Sequence, residues 1–400
     1  MNIQDINVEE IKIFKEDAKN LTDSRIQKKC TYKLWDVVVS SVLAVMANAD
    51  TFEEIYTFAK VKYDFLKSIL QMTGGVATVK TYENIIGMIN SDELHELCKS
   101  FVIKATTQNI KQDIINIDGK VDKNSARNAN EEHDKIKPLN VLNAFSSELG
   151  IYLYGLQIDD KTNEIPMFKE LIKHINVKGN IITVDALNTQ VENAKLIIKL
   201  KGDYVFAVKK NQGNLYNDLI EYFNDTELLK GCNSYLTTAK EGGKVVKRNY
   251  YQTDEITWLN TKKEWAGLKS IGCVIKETED MQGNKTKEIR YYISSLSTDI
   301  RLFAKSIRSH WKVENNLHWQ LDFTFKCDDN RTENKSALLN LQIIKKLVLN
   351  MLKLVKEHFN KSLIKIRYII SLNTEDSIVE IFKMLFVKYQ KAGFSIFDSL

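Results

Sequence analysis

The stretch DIINIDGKV, residues 113–121, marks a change of texture along the chain. Before it, from about residue 8 to 108, apolar residues recur at three-to-four spacing, as in WDVVVSSVLAVMAN, TFEEIYTFAKVKYDFLKSIL and SDELHELCKSFVIKATTQ, the pattern of packed helices. Within it, β-branched residues run together and end in an acid and a glycine, as a strand in the middle of a sheet does. Next, LNVLNAFS (139–146) and IYLYGLQID (151–159) flank the turn SELG, a hairpin signal. Pro166 stands near the start of a helix, IPMFKELIKHIN (165–176). A second acid-tipped strand, NIITVDALN (180–188), the helix VENAKLIIKLKG (191–202) and the strand DYVFAVKK (203–210) follow.

Three strands, helix, strand, helix, strand is the order of an RNase H-like α/β core, in which acids gather at the ends of adjacent central strands and on a later helix. The expected organisation has two parts. Residues 1–108 form an all-helical N-terminal domain, and residues 109–400 form the core, with a mostly β insertion at about 214–292 and basic helices at the C-terminal end.

Composition narrows the class. With 400 residues, 44% hydrophobic and 27% charged, the chain is an ordinary soluble polypeptide able to bury more than one core. Its longest apolar run, LWDVVVSSVLAVMANA (34–49), is broken by Asp36 and falls short of the roughly 20 residues a membrane helix needs. The acidic, amphipathic start lacks the pattern of a signal peptide, so the expected location is the cytoplasm. Five scattered cysteines with no CxxC pair are read as reduced thiols. Net charge is only +5, yet between Arg331 and Ile370 nine Lys/Arg face two acids. Such a stripe can track a phosphate backbone or be a solvated lysine face.

Asp118 and Asp185 each tip an otherwise apolar strand, where a carboxylate is expensive to bury without a compensating cation. Magnesium suits the position, being a hard ion that takes oxygen ligands and retains waters. A third carboxylate is sought in RSHWKVENNLHWQLD, residues 308–322, where Glu314 is the best-placed acid and Asp322, two turns on, fits less well. His318, at i+4 from Glu314, can hydrogen-bond a carboxylate or phosphate. Taken singly, Asp118 can be a turn residue, Asp185 a helix N-cap and Glu314 a surface acid. Together, in this fold order, they point to metal-dependent phosphoryl transfer. Lys209 and Lys210, with Lys120 and Arg308, are the candidate phosphate contacts, and Trp258, Trp265 and Trp319 are expected in the core rather than against a base.

Six blocks, IDGK (117–120), KTNEIPMFKELI (161–172), TVDALNTQ (183–190), GDYVFAVKKNQG (202–213), RYYISSL (290–296) and HWKVENNLHWQLDFTF (310–325), together resemble the DDE transposases of bacterial insertion sequences, in the ISAs-type branch with the H-repeat-associated proteins. The resemblance implies a metal-binding triad of Asp118, Asp185 and Glu314, a Mg2+ cofactor that Mn2+ can replace, and cleavage and strand transfer on DNA. It also implies terminal inverted repeats and target DNA as partners, and a homo-oligomer when two DNA ends are synapsed. After IDGK the chain departs from its relatives, reading VDKNS, with Asp122 an added acid and Pro138 in place of a histidine. An inactive DNA-binding remnant and a metal-dependent nuclease of the same fold are therefore carried as alternatives.

Overall fold

The computed structural model describes residues 8–105, 111–126, 137–158 and 164–391. Among these residues nine strands make one mixed sheet: β1 Ile114–Asp122, β2 Leu139–Ser146, β3 Ile151–Gln157, β4 Ile181–Val184, β5 Asp203–Val208, β6 Asn233–Glu241, β7 Lys244–Thr253, β8 Ser270–Glu279 and β9 Lys285–Ser294. Their order across the sheet is β3-β2-β1-β4-β5-β9-β8-β7-β6. β1, β4 and β5 are mutually parallel, and the other neighbours pair antiparallel. The chain is thus an α/β protein with a large mixed sheet. Because β9 pairs with β5, the inserted strands extend the same sheet. The segment inserted after β5 opens with two helices, Gly213–Asn224 and Thr226–Gly231, before its first strand.

Side chains of a strand alternate between the two faces, and the central strands bury both. On one side Ile115, Ile117, Ile182, Val184, Tyr204 and Phe206 pack with Phe168, Ala194, Ile197, Leu215 and Leu219 from the helices that follow β3, β4 and β5. On the other, Ile114, Ile181 and Val205 meet Phe303, Ala304 and Ile307 of the Ile300–Val313 helix. That helix lies across β1 and β4, and Glu314 at its C-terminal end shares a cleft with Asp118 and Asp185.

The N-terminal helices have no core of their own among the described residues. Ile11, Phe14, Val38, Leu43, Ile55 and Ile86 share one apolar cluster with Leu341, Ile344, Leu347, Ile370 and Phe382 from the C-terminal helices. The long Lys335–Phe359 helix is the axis of this body, packing against Leu34–Met46, Val79–Met88 and Ser91–Ala105. This burial corrects part of the basic stripe: Lys345, Lys346 and Arg367 are buried and Lys353 reaches inward to the Gly150 carbonyl, whereas Arg331, Lys356, Lys361 and Lys365 stay exposed. The Leu34–Met46 helix is buried along nearly its whole length. No helix of the described residues is long and apolar enough to cross a membrane.

Candidate active site

The parallel register of β1 and β4 aligns Asn116 with Thr183 and Ile117 with Val184. Asp118 and Asp185 follow one step later, so they stand at neighbouring positions, roughly 5 Å apart at the strand spacing. Asp118 lies within β1, not in a turn, and Asp185 is not a helix N-cap, since Gln190 precedes the next helix. Asp185 instead organises its own turn: the Asn188 backbone N–H donates to Asp185 Oδ1 at 3.1 Å. Glu314 is solvent-exposed at the end of the Ile300–Val313 helix. All three carboxylates line one cleft of about 610 Å³, together with Thr183, His310 and Trp311.

A π-helical turn, Glu314–His318, begins at that glutamate, with the Trp319 N–H returning to the Glu314 carbonyl. Single π turns inside helices widen the spiral locally and re-aim the side chains that follow, often at functional positions. Here it brings His318 Nδ1 to 3.6 Å from Asp118 Oδ2. Burial, reinforced by the charges of Lys120 and Lys346, pushes His318 down to about 3, so the imidazole is neutral and the contact is not an ion pair. His318 therefore faces the carboxylate and is not presented to a phosphate.

Lys209 and Lys210 are exposed at the cleft rim. Their segment is pinned to the turn of Asp185, because Asn211 Nδ2 and Gln212 Nε2 each donate to the Ala186 carbonyl at 2.8 Å. Arg308 is exposed but paired with Glu241 at 2.7 Å. Lys120 departs from the expected phosphate contact: only 8% exposed, its ammonium lies 2.7 Å from Asp122, 2.6 Å from Asp322 and 3.3 Å from Asp328. It is committed to carboxylates and has no route to a phosphate. Asp122, Asp322 and Asp328 have the mutual geometry to hold a metal ion, with ligand atoms within 4.8 Å of one another, but the Lys120 ammonium already supplies the cation between them. Of the tryptophans, Trp265 is buried as expected, whereas Trp258 stacks on Tyr222 and Trp319 on Phe323 with about half of Trp319 exposed.

Behind the acids runs a polar chain that the sequence reading did not single out. The Asn116 amide and the Thr183 hydroxyl are hydrogen-bonded at 2.6 Å, and Thr183 Oγ1 lies 3.0 Å from His310 Nδ1. Burial lowers His310 to about 4, against the pull of Asp185, so it too is neutral. The signal was present as N-x-D and T-x-D: a polar residue two before each aspartate, on the same strand face.

Residues 16–102 match the DDE transposase-associated domain family and residues 101–351 the Transposase DDE domain family. Protein YbfL of Escherichia coli strain K12 and the H repeat-associated protein YhhI of the same strain are each 32% identical over 349 residues, 86% of this chain and 91% of theirs. YncI of Escherichia coli O157:H7 is 31% identical over 342 residues, covering 84% of this chain and 86% of its own. With its acids converging on one cleft and both family matches in sequence, the chain belongs to the DDE transposase family.

Proposed function

We propose that this protein is an active transposase whose Asp118, Asp185 and Glu314 hold Mg2+, with Mn2+ as a substitute, in an RNase H-like core formed by β1–β5 and their helices. The observation that carries the reading is the convergence of three carboxylates, from two neighbouring parallel strands and a helix far along the chain, on a single cleft. The donor set fits the ion: carboxylate oxygens are the ligands a hard divalent cation prefers. When bound, such ions activate an attacking oxygen and offset the charge on the leaving one.

The remaining work falls to the chain. Lys209 and Lys210 hold backbone phosphates at the rim as point charges. The neutral His318 keeps Asp118 aligned, and the His310–Thr183–Asn116 chain fixes the helix of Glu314 against β1 and β4. The reaction is hydrolysis at a transposon end, which frees a 3′-hydroxyl, followed by attack of that hydroxyl on target DNA. Two ends brought together call for a homo-oligomer on the terminal inverted repeats.

One observation weakens the reading of an inactive remnant. Asp122 adds no free charge to the site, because Lys120 pairs with it and the Gln342 amide donates to it. The test is a labelled duplex carrying the repeat that flanks the coding region, incubated with and without Mg2+, beside Asp185→Ala. Metal-dependent cleavage at the repeat boundary, absent in a folded Asp185→Ala, supports the transposase. Selective binding without cleavage in Mg2+ or Mn2+ establishes the remnant, and cleavage without strand joining a nuclease.

A further inference from the structure

Trp311, three residues before Glu314, carries four cations on its ring: Arg290 at 4.9 Å from the centroid, Arg308 at 5.0 Å, Lys276 at 5.2 Å and Arg248 at 5.4 Å. They converge from β7, β8, β9 and the Ile300–Val313 helix, so the sheet extension and the helix of Glu314 build the cluster jointly. An aromatic face attracts each cation but does nothing to relieve the repulsion among them. Arg248 and Lys276 are direct cross-strand partners, a placement that like charges disfavour.

Two carboxylates answer the four cations. Glu241 takes both Arg248 and Arg308 at 2.7 Å, and Glu288 takes Arg290 at 2.7 Å. Among the described residues an excess of positive charge remains, and the buried Arg248 Nε has no hydrogen-bond partner. A buried donor left unmade is costly, as is a cluster of like charges, unless an anion completes it.

The position of the cluster says which anion. Trp311 and Glu314 are i and i+3 on one helix face, roughly 4.5 Å apart along the axis; Trp311 and Arg290 line the same cleft as the three acids, and with Arg248, Lys276 and Arg308 they also line a small pocket adjoining it. We propose that the cluster on Trp311 is a subsite for a backbone phosphate of the DNA strand lying in the cleft, adjacent to the phosphate over the acids. Arg308 gives Nη2 to Glu241 and Arg290 gives Nε to Glu288, and the remaining guanidinium N–H groups can donate to phosphate oxygens in a planar fork that lysine lacks. The subsite rests on the transposase reading, and makes the sheet extension part of the DNA-binding surface.

The test measures affinity for a labelled duplex DNA against salt concentration, using the full chain, the double variant Lys276→Gln/Arg308→Gln, and a charge-matched control, Lys285→Gln/Lys287→Gln, at the far end of β9. Each lost phosphate contact lowers the slope of log affinity against log salt by about 0.9. The expected result is a slope reduced by about 1 to 2 in the first double variant and unchanged in the control, with both variants melting as the parent does. An unchanged slope in Lys276→Gln/Arg308→Gln, or an equal drop in the control, overturns the subsite while leaving the transposase reading in place. Absence of salt-dependent DNA binding by the parent chain overturns both.

Discussion

Lys120 Nζ stands 2.6 Å from Asp322 Oδ1, joining β1 two residues past Asp118 to the helix that follows Glu314. Burial works against the charge of Lys120, but Asp122 and Asp322 outweigh it, and the lysine titrates above its usual range. Lys120→Met leaves three carboxylates around an empty centre, and removing one partner of a buried pair costs about 3–5 kcal/mol. The expected result is a loss of that size in urea unfolding at neutral pH. Burial already raises Asp322 against the pull of Lys120, and without the ammonium that rise is unopposed, so the deficit shrinks as pH falls and Asp322 protonates. A deficit that is small, or constant between neutral and mildly acidic pH, contradicts the internal-cation role.

His318 Nδ1 lies 3.6 Å from Asp118 Oδ2 with its imidazole neutral, the position from which the proposed site has it keep that carboxylate aligned. Groups that orient metal-binding carboxylates are worth about 10–100-fold in metal affinity or activity when removed. His318→Ala is expected to raise the Mg2+ concentration for half-maximal cleavage by about that factor, leaving DNA affinity unchanged. Equal metal requirements in parent and variant remove His318 from the site.

The sequence made β1, β4 and β5 legible because strands buried on both faces read as short apolar runs, and it marked Asp118 and Asp185 because each run ends in an acid. What it hid depended on distant partners. Lys120 meets Asp328 across 208 residues of sequence, so its motif looked like a phosphate contact. The middle of the basic C-terminal stripe, Lys345 to Lys353, looked exposed because charge was counted without knowing that the Lys335–Phe359 helix packs among the N-terminal helices. The π turn at Glu314 has no residue signature in ENNLH, yet it sets where His318 points.

Arg367 shows the consequence of that burial. Its guanidinium is fully enclosed, 2.8 Å from Asp50 and 2.8 Å from the Val45 carbonyl, with a further bond to the Thr324 carbonyl. It therefore ties the N-terminal helices to the C-terminal ones and does not contact DNA. Arg367→Leu is expected to destabilise the protein by about 3–5 kcal/mol, because Asp50 is left buried and unpaired. The same variant, measured below its melting temperature, should keep the parent's salt dependence of DNA binding. A change in slope without a loss of stability returns Arg367 to the surface stripe.

His95, like His310 and His318, is held neutral by burial and contributes to the fold's acid response. Its Nε2 lies 2.7 Å from the Tyr152 hydroxyl, and burial, followed by the nearby charge of Lys346, holds it down at about 3. In the unfolded chain an ordinary histidine titrates near 6.5, so below that pH the unfolded state binds a proton that the folded state refuses. The stability due to the neutral ring is complete above about pH 6.5 and is lost as pH falls toward the folded value, at about 1.4 kcal/mol per pH unit. His95→Gln keeps a polar partner for Tyr152 and removes the titration. Between about pH 6.5 and 5, before most carboxylates protonate, the parent's melting temperature should fall more steeply than the variant's. Parallel curves across that window show that His95 protonates in the folded protein as it does in the unfolded one.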